Sequence, residues 1–506
     1  MHTLDLLILG VYLAAVVALG ARFSRRQATV HDYFLTDHQV PWWALLASIV
    51  ATETSTVTLI SVPGYAFGGD LTFLQLALGY IVGKIFVAVV LIPRFFRGNI
   101  LTAYQPLSEH FGPLIGRVTA AIFLVTRSLS DGFRLFATGL VLAAVLATLP
   151  TATAVAHGLM PSLDLSASLP VVSVCLIGGT TVVYTLLGGM RAVIWTDVVQ
   201  LVVYMTGALI AALMVLSEIP GGWMEVINVA GPAGKLVSVD LTFDLTKSYT
   251  FWSGVLGGMF LAAGTHGTDQ MFVQRYLCGR SPRDASRALI WSGVVVLIQF
   301  GVFLGIGLLL WVYYTVYSPD GLAAITVNGI VQTDRILPTF IMSHLPVGLR
   351  GLVVAAVVAA AMSTLSSSLN SSAASTVGDF YVPLTGDRKS ARHYLAVSRW
   401  ATAGWALVQV AVAVVAIDLS SRVVDEVLGI QSFTLGLLLG VFLLAMTTTR
   451  RLSAPMVGIL GGTAVLLALR LLTDVSWQWY VLIGTFTTWG LGWITGRVLG
   501  RDSESP

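Results

Sequence analysis

Apolar runs of about 20 residues recur along the whole chain, separated by short polar stretches that often hold arginine. At 1.5 Å of rise per residue, each run is long enough to cross ~30 Å of hydrocarbon as an α-helix. Hydropathy predicts spans near 3–21, 42–67, 71–93, 114–147, 169–188, 192–217, 250–272, 288–316, 338–374, 394–417, 424–448, 453–472 and 478–497. That makes about 13 transmembrane helices in an all-α integral membrane protein. The whole of 1–506 reads as one transmembrane domain.

Charge fixes the expected orientation. Arg22, Arg25 and Arg26 follow the first span, Arg94, Arg97 and Arg117 the third, and Arg191 the fifth. Arg275, Arg280, Arg283 and Arg287 follow the seventh, and Arg388, Lys389, Arg392 and Arg399 the ninth. Arg450 and Arg451 follow the eleventh, and Arg497 and Arg501 the last. The alternate loops hold only Lys235, Lys247, Arg335, Arg350, Arg422 and Arg470, and 148–168 holds none. Positive-inside bias then puts the N-terminus outside a cell membrane and the C-terminus in the cytoplasm. The charges follow the first span rather than precede it, so it reads as an anchored helix and not a cleaved signal.

Composition excludes several function classes. The chain is 56% hydrophobic and 10% charged, where a soluble protein carries roughly a quarter charged residues. Its longest polar stretches, 218–249 and 318–337, are too short for a soluble domain. Cys175 and Cys278 make neither a disulfide framework nor a metal cluster. The net charge of +3 is spread over loops, so no nucleic-acid partner is expected, and no obligate protein partner is evident. No nucleophile–base pair or organic-cofactor motif points to an enzyme.

Two spans interrupt their own apolar pattern. "SIVATETSTVTLISVPG" sets a Thr/Glu/Ser/Thr cluster inside span 2, and "GGMFLAAGTHGTDQM" places Gly264, His266 and Gly267 in span 7. Non-helical backbone at such depth is tolerated where it lines a cavity or is buried in protein. Five spans separate the two, an odd number, so 42–217 and 250–448 would face opposite ways as an inverted five-helix repeat. Paired interruptions at the start of two such units point to a transporter's central site. The other reading is two ordinary glycine-containing spans packed on neighbours.

"AAAMSTLSSSLNSS" on span 9 carries hydroxyls into an apolar run. Ser363, Ser366, Ser367 and Asn370 fall at i, i+3, i+4 and i+7 and share one helical face, flanked by Thr364 and Ser368. Hydroxyls and freed carbonyls suit a hard monovalent cation, although such side chains also bond to their own helix. Asp197 lies six residues beyond Arg191, an ionisable group inside the bilayer and by default functional.

For a solute, span 2 offers Glu53, Ser55 and Thr58, span 3 offers Phe73 and Gln75, and span 7 offers His266. In "TRSLSDGFRLF", Arg127, Asp131 and Arg134 share one face of span 4. These charges suit an anionic, zwitterionic or sugar-like solute, with an arginine as carboxylate fork. Equally, they could neutralise one another as a structural network.

The chain resembles the sodium/solute symporter family through "GGMRAVIWTDVVQ", "TDQMFVQRYLCGRSPRDASRA" and "AAAMSTLSSSLNSSAASTVGDFY". The resemblance implies the inverted repeat of the leucine-transporter type, with one extra helix at 3–21 and two at 453–497. It implies a principal sodium site at Ala51, Thr54, Ala360, Ser363 and Thr364, and a second at Asp197, Ser363, Ser366 and Ser367. Sodium is then the co-transported ion, and alternating access imports a small polar solute. Glu53 departs from the small neutral or amide residue of family members, and the sialic acid carriers' carboxylate-binding arginine aligns with Ser130. A proton-coupled carrier of the same fold, a channel and a solute sensor are the alternatives.

Overall fold

The computed structural model describes residues 2–23, 27, 29–98, 100–161, 164–323, 325–327, 329–386, 388–416, 423–448 and 452–501. Of the loop charges counted above, Arg25, Arg26, Arg422, Arg450 and Arg451 lie outside the described residues. Nine of the described helices are long and apolar enough to cross a membrane, and one bent pair adds a further span. The first helix is α1 (Thr3–Arg22). The bent pair is α2 (Trp42–Glu53) and α3 (Thr56–Gly68), which meet at 62°.

Next come α4 (Leu74–Phe86), α5 (Pro113–Leu146) and α6 (Leu165–Ser217). The 53 residues of α6 would measure ~80 Å if straight, more than twice a bilayer core. Its backbone leaves helical geometry at Gly189, with φ 55° and ψ −155°. Only glycine takes that conformation freely, and a Cβ there would sit 2.5 Å from the Tyr33 carbonyl oxygen. The predicted spans 169–188 and 192–217 are the two arms on either side of this kink.

The seventh predicted span is interrupted, but not where its glycines suggest. α7 (Gly258–Thr268) runs unbroken through Gly264, His266 and Gly267 and stops at Asp269, with φ −85° and ψ 121°. α8 (Gln270–Leu277) starts there, capped by the Asp269 carboxylate, which accepts the Met271 N–H at 2.9 Å. An Asp that satisfies an orphan N–H of a new helix starts it more decisively than glycines loosen the old one.

The remaining helices are α9 (Pro282–Val312), α10 (Leu349–Ser375), α11 (Ala391–Val415), α12 (Val423–Thr447), α13 (Ser453–Leu472) and α14 (Tyr480–Arg501). The most apolar window of α10 is 94% buried against 22% for α1, so α10 is the centre of the bundle and α1 its periphery. Asp5 ties the two together: its Oδ1 accepts the N–H groups of Gly348 and Gly351 at 2.7 and 3.0 Å. These are orphan donors at the start of α10, where a carboxylate is favoured. α4 and α7 pack backbone to backbone, since a Cβ on Gly83 would meet the Met259 carbonyl oxygen at 2.3 Å. This close approach sets Lys84 beside the interrupted helices.

Candidate functional site

The site begins with carbonyls that the α2–α3 break releases. Thr54 (φ −93°, ψ 95°) and Ser55 (φ −86°, ψ 171°) are extended, so Ala51, Thr52 and Glu53 lose their helical i+4 donors. From α10, the Thr364 hydroxyl donates to the freed Thr52 carbonyl at 3.2 Å and lies 3.4 Å from the Ala360 carbonyl. Ala51, Thr54, Ala360, Ser363 and Thr364 are all buried. The Thr54 hydroxyl donates to Gln299 at 3.0 Å, so toward a cation Thr54 offers its main-chain oxygen.

Ser363 also reaches α6. Its hydroxyl donates to Asp197 Oδ1 at 2.6 Å, while Asp197 Oδ2 accepts from Ser48 at 2.6 Å and pairs with Arg275 at 3.1 Å. Both members of that ion pair are fully buried. Arg275 also donates to Ser48 at 2.9 Å, to Thr52 and to Ser367. Ser366 and Ser367 give their own hydrogens to the Ser363 carbonyl at 3.1 and 2.7 Å. Asn370, further along the same face, accepts from Gln274 at 2.8 Å. The hydroxyl face of α10 therefore meets α2, α6 and α8 together. Arg275 corrects the charge count: it is an interior guanidinium rather than a loop marker.

Beside the break is a cavity of about 80 Å³. Glu53, Ser55 and Thr58 line it from the interrupted helix, and Phe73, Arg127, Arg134 and His266 line it from its neighbours. Glu53 Oε2 accepts from Lys84 Nζ at 2.6 Å, and His266 Nε2 stands 3.6 Å from the same oxygen. The Lys84 ammonium is fully buried and also donates to Ser292 at 3.1 Å. His266 Nδ1 shares a hydrogen bond of 2.9 Å with the Tyr276 hydroxyl. Arg127 is paired with Asp269 and, at 3.5 Å, with Asp131, and Arg134 pairs with Asp131 at 2.7 Å. Arg134 also donates to Gln431 at 3.3 Å, while its buried Nε has no partner among the described residues.

Two predicted solute residues stand apart from this cavity. Asp131 lies behind it, in a smaller void shared with Ser55, Thr56, Arg134 and Thr364. Gln75 is spent elsewhere: its amide nitrogen donates to the Tyr249 carbonyl at 2.8 Å, and its oxygen accepts the Asp240 N–H at 3.3 Å. Both partners belong to the 218–249 segment, so Gln75 fastens that loop over the bundle. Further ties are Lys235 to the Phe67 carbonyl at 2.6 Å and the Leu71 N–H to the Val237 carbonyl at 2.9 Å. Between loop and cavity lies an aromatic layer, with Tyr249–Phe73 and Tyr249–Tyr65 ring centroids both at 4.9 Å and Phe73–Phe300 at 5.3 Å.

Lys84, Asp269 and Arg275 are the candidate-site charges that the sequence reading missed. Lys84 interrupts the apolar run "GYIVGKIFVAVV", and an ammonium inside a span is itself a signal. Asp269 shows only as an N-cap candidate after "GTHGT".

A family model described as the sodium:solute symporter family matches residues 33–462. The chain belongs to the sodium:solute symporter family. Among its relatives, the sodium/sialic acid symporter NanT of Aliivibrio fischeri is 30% identical over 99% of this chain and 95% of its own length. The sodium/sialic acid symporter SiaT of Proteus mirabilis is 31% identical, covering 97% and 95%. A Na+-coupled sialic acid symporter, solved substrate-bound and outward-open, superposes with a TM-score of 0.84 at 28% identity over 98% of each chain. This symporter is thus a multi-pass membrane transporter of the leucine-transporter-like class, and its activity is sodium-coupled solute symport. Its broken α2–α3 and α7–α8 pairs are where such a transporter gathers its polar groups.

Proposed function

We propose that this symporter imports a small carboxylate-bearing solute, with sodium held between the α2–α3 break and α10. The observation that carries this reading is the shared wall of the two sites. Thr364, whose hydroxyl meets the Thr52 carbonyl, borders the same void as Arg134, which lines the solute cavity. Sodium would take main-chain oxygens of Ala51, Thr54 and Ala360 and the hydroxyls of Ser363 and Thr364. It would thereby tie α2 to α10 and fix the cavity wall at Ser55. A solute carboxylate would meet the Arg134 guanidinium where it lines the cavity, and solute hydroxyls or an ammonium would face Glu53. Because each ligand favours the same arrangement, each tightens the other by the same factor.

The relatives carry sialic acid, and the family resemblance aligns their carboxylate-binding arginine with Ser130. Here Ser130 is fully buried, its hydroxyl has no partner among the described residues, and it does not line the cavity. A cavity of 80 Å³ holds roughly three waters at ~30 Å³ each. That favours a solute smaller than a nine-carbon sugar acid, such as a hydroxy acid or amino acid. A second sodium at Asp197, Ser363, Ser366 and Ser367 is favoured by the 2.6 Å Asp197–Ser363 contact, although Arg275 already meets part of that carboxylate's charge. The equivalence of 42–217 and 250–448 as inverted repeats, and an outside N-terminus, complete the reading. It is tested by thermal stabilisation of the purified protein with hydroxy acids, amino acids, sugars and sialic acid, each with sodium and with choline. Stabilisation by a carboxylate only when sodium is present supports the reading. Equal stabilisation in choline contradicts it.

A further inference from the structure

A groove of about 430 Å³ lies at the foot of α9, away from the solute cavity, lined by Pro93, Arg283, Ser286, Arg287, Ile290 and Trp291 among others. Arg283 and Arg287 are one helical turn apart and exposed on one face of α9. Among the described residues neither forms an ion pair with a carboxylate, so the groove holds two guanidiniums with no carboxylate in contact. Arg287 is already oriented: its guanidinium stacks 4.1 Å from the centroid of the Trp42 ring. Ser286 adds no polar capacity, because its hydroxyl donates to the Ala88 carbonyl at 2.9 Å and joins α9 to the segment that follows α4.

One to two turns further along the helix the lining changes to Ile290 and Trp291, and Trp291 is 51% exposed. An exposed tryptophan one step below exposed arginines is the order of groups met on passing from headgroups into acyl chains. The nearest acid in sequence, Asp284, sits in the first turn of α9, three residues before Arg287, and among the described residues it pairs with neither arginine. The groove thus offers two guanidiniums for phosphate oxygens and an apolar floor for a chain.

We infer that this groove binds an anionic phospholipid, its phosphate between Arg283 and Arg287 and its acyl chain along Ile290 and Trp291. The ligand chemistry, a phosphate ester, is shared with free phosphate. The apolar floor is what selects the lipid.

The test uses the full-length protein purified in detergent and delipidated, with bound lipid counted by native mass spectrometry. Phosphatidylglycerol, phosphatidylcholine and inorganic phosphate are the titrants. Wild type should retain phosphatidylglycerol well above phosphatidylcholine. Removing both charges in Arg283→Gln/Arg287→Gln should weaken phosphatidylglycerol by roughly 30-fold, at about 1 kcal/mol per arginine. Arg283→Gln alone keeps the Trp42 stack and should cost roughly 5-fold. Arg388→Gln, an exposed charge elsewhere, should change nothing. Phosphatidylglycerol retained equally by the double variant overturns the proposal. So does inorganic phosphate competing as well as the lipid, which would make this a phosphate site without a lipid.

Discussion

Removing Lys84 while leaving Glu53 should damage this symporter more than removing both. The pair is 2.6 Å apart, with the lysine fully buried and the glutamate side chain 11% exposed to the cavity. At an effective dielectric of 20, the gross attraction at that distance is about 6 kcal/mol. Desolvation of both ions offsets most of it, so the pair contributes little net stability compared with an apolar substitute. Breaking it from one side is different. Lys84→Met leaves a carboxylate facing only His266 and the cavity, which should cost about 3–5 kcal/mol. Glu53→Gln/Lys84→Met keeps the volumes and removes both charges, and should lose under about 2 kcal/mol. A double-mutant cycle on thermal unfolding in detergent reads the coupling directly. The double variant should regain at least half of the drop in midpoint caused by Lys84→Met. A double variant as unstable as the sum of the two singles would refute an ion pair that holds the cavity wall.

Arg134→Gln should weaken the solute about 10- to 100-fold, the range for hydrogen bonds to a charged group, while sodium dependence stays near wild type. Uptake titrations in proteoliposomes separate the two effects. Gln75→Ala should speed hydrogen exchange of loop amides 235–249 about 30-fold, since two loop bonds worth about 1 kcal/mol each are lost; unchanged exchange would mean that Gln75 does not fasten the loop. Gly189→Ala should abolish accumulation of folded protein, because it combines a positive φ with a 2.5 Å clash. In the same loop, hydrogen bonds from Lys247 first and then Thr242 hold Asp240 down to about 2. A carboxylate depressed on folding stabilises above its ordinary value near 4, and that contribution is lost as pH falls through about 2. Loop exchange, corrected for intrinsic rates, should therefore be flat from pH 8 to 5.

Much of this fold could be read from the sequence, and the reasons are local. The Thr/Glu/Ser/Thr cluster marks the α2–α3 break because polar groups and freed carbonyls must meet each other in lipid. The hydroxyls of α10 were legible as one face because helical spacing alone puts Ser363, Ser366, Ser367 and Asn370 together. What that face meets was not legible. Arg275 looks like a loop marker, because nothing within "VQRYLCGR" says that α8 carries it inward to Asp197. Gln75 and Phe73 are two residues apart, yet one holds the loop and the other lines the cavity. That division depends on where 218–249 folds back, a contact between segments more than 150 residues apart. The glycines of span 7 suggested a loosened helix, whereas the capping carboxylate of Asp269 decided where it ends.

The measurement closest to the central claim is the sodium concentration that half-saturates solute uptake by Thr364→Ala, with Thr364→Ser alongside. Thr364 is one of the residues proposed for the principal sodium site, and its hydroxyl bonds to the Thr52 and Ala360 carbonyls rather than to the Asp197–Arg275 pair. Loss of one ligand oxygen should raise that concentration about 10- to 100-fold, on the scale of a charge-assisted bond, and serine should restore it. Half-saturation unchanged in Thr364→Ala, in protein that expresses and binds solute normally, would contradict a sodium ion held between the broken helix and α10.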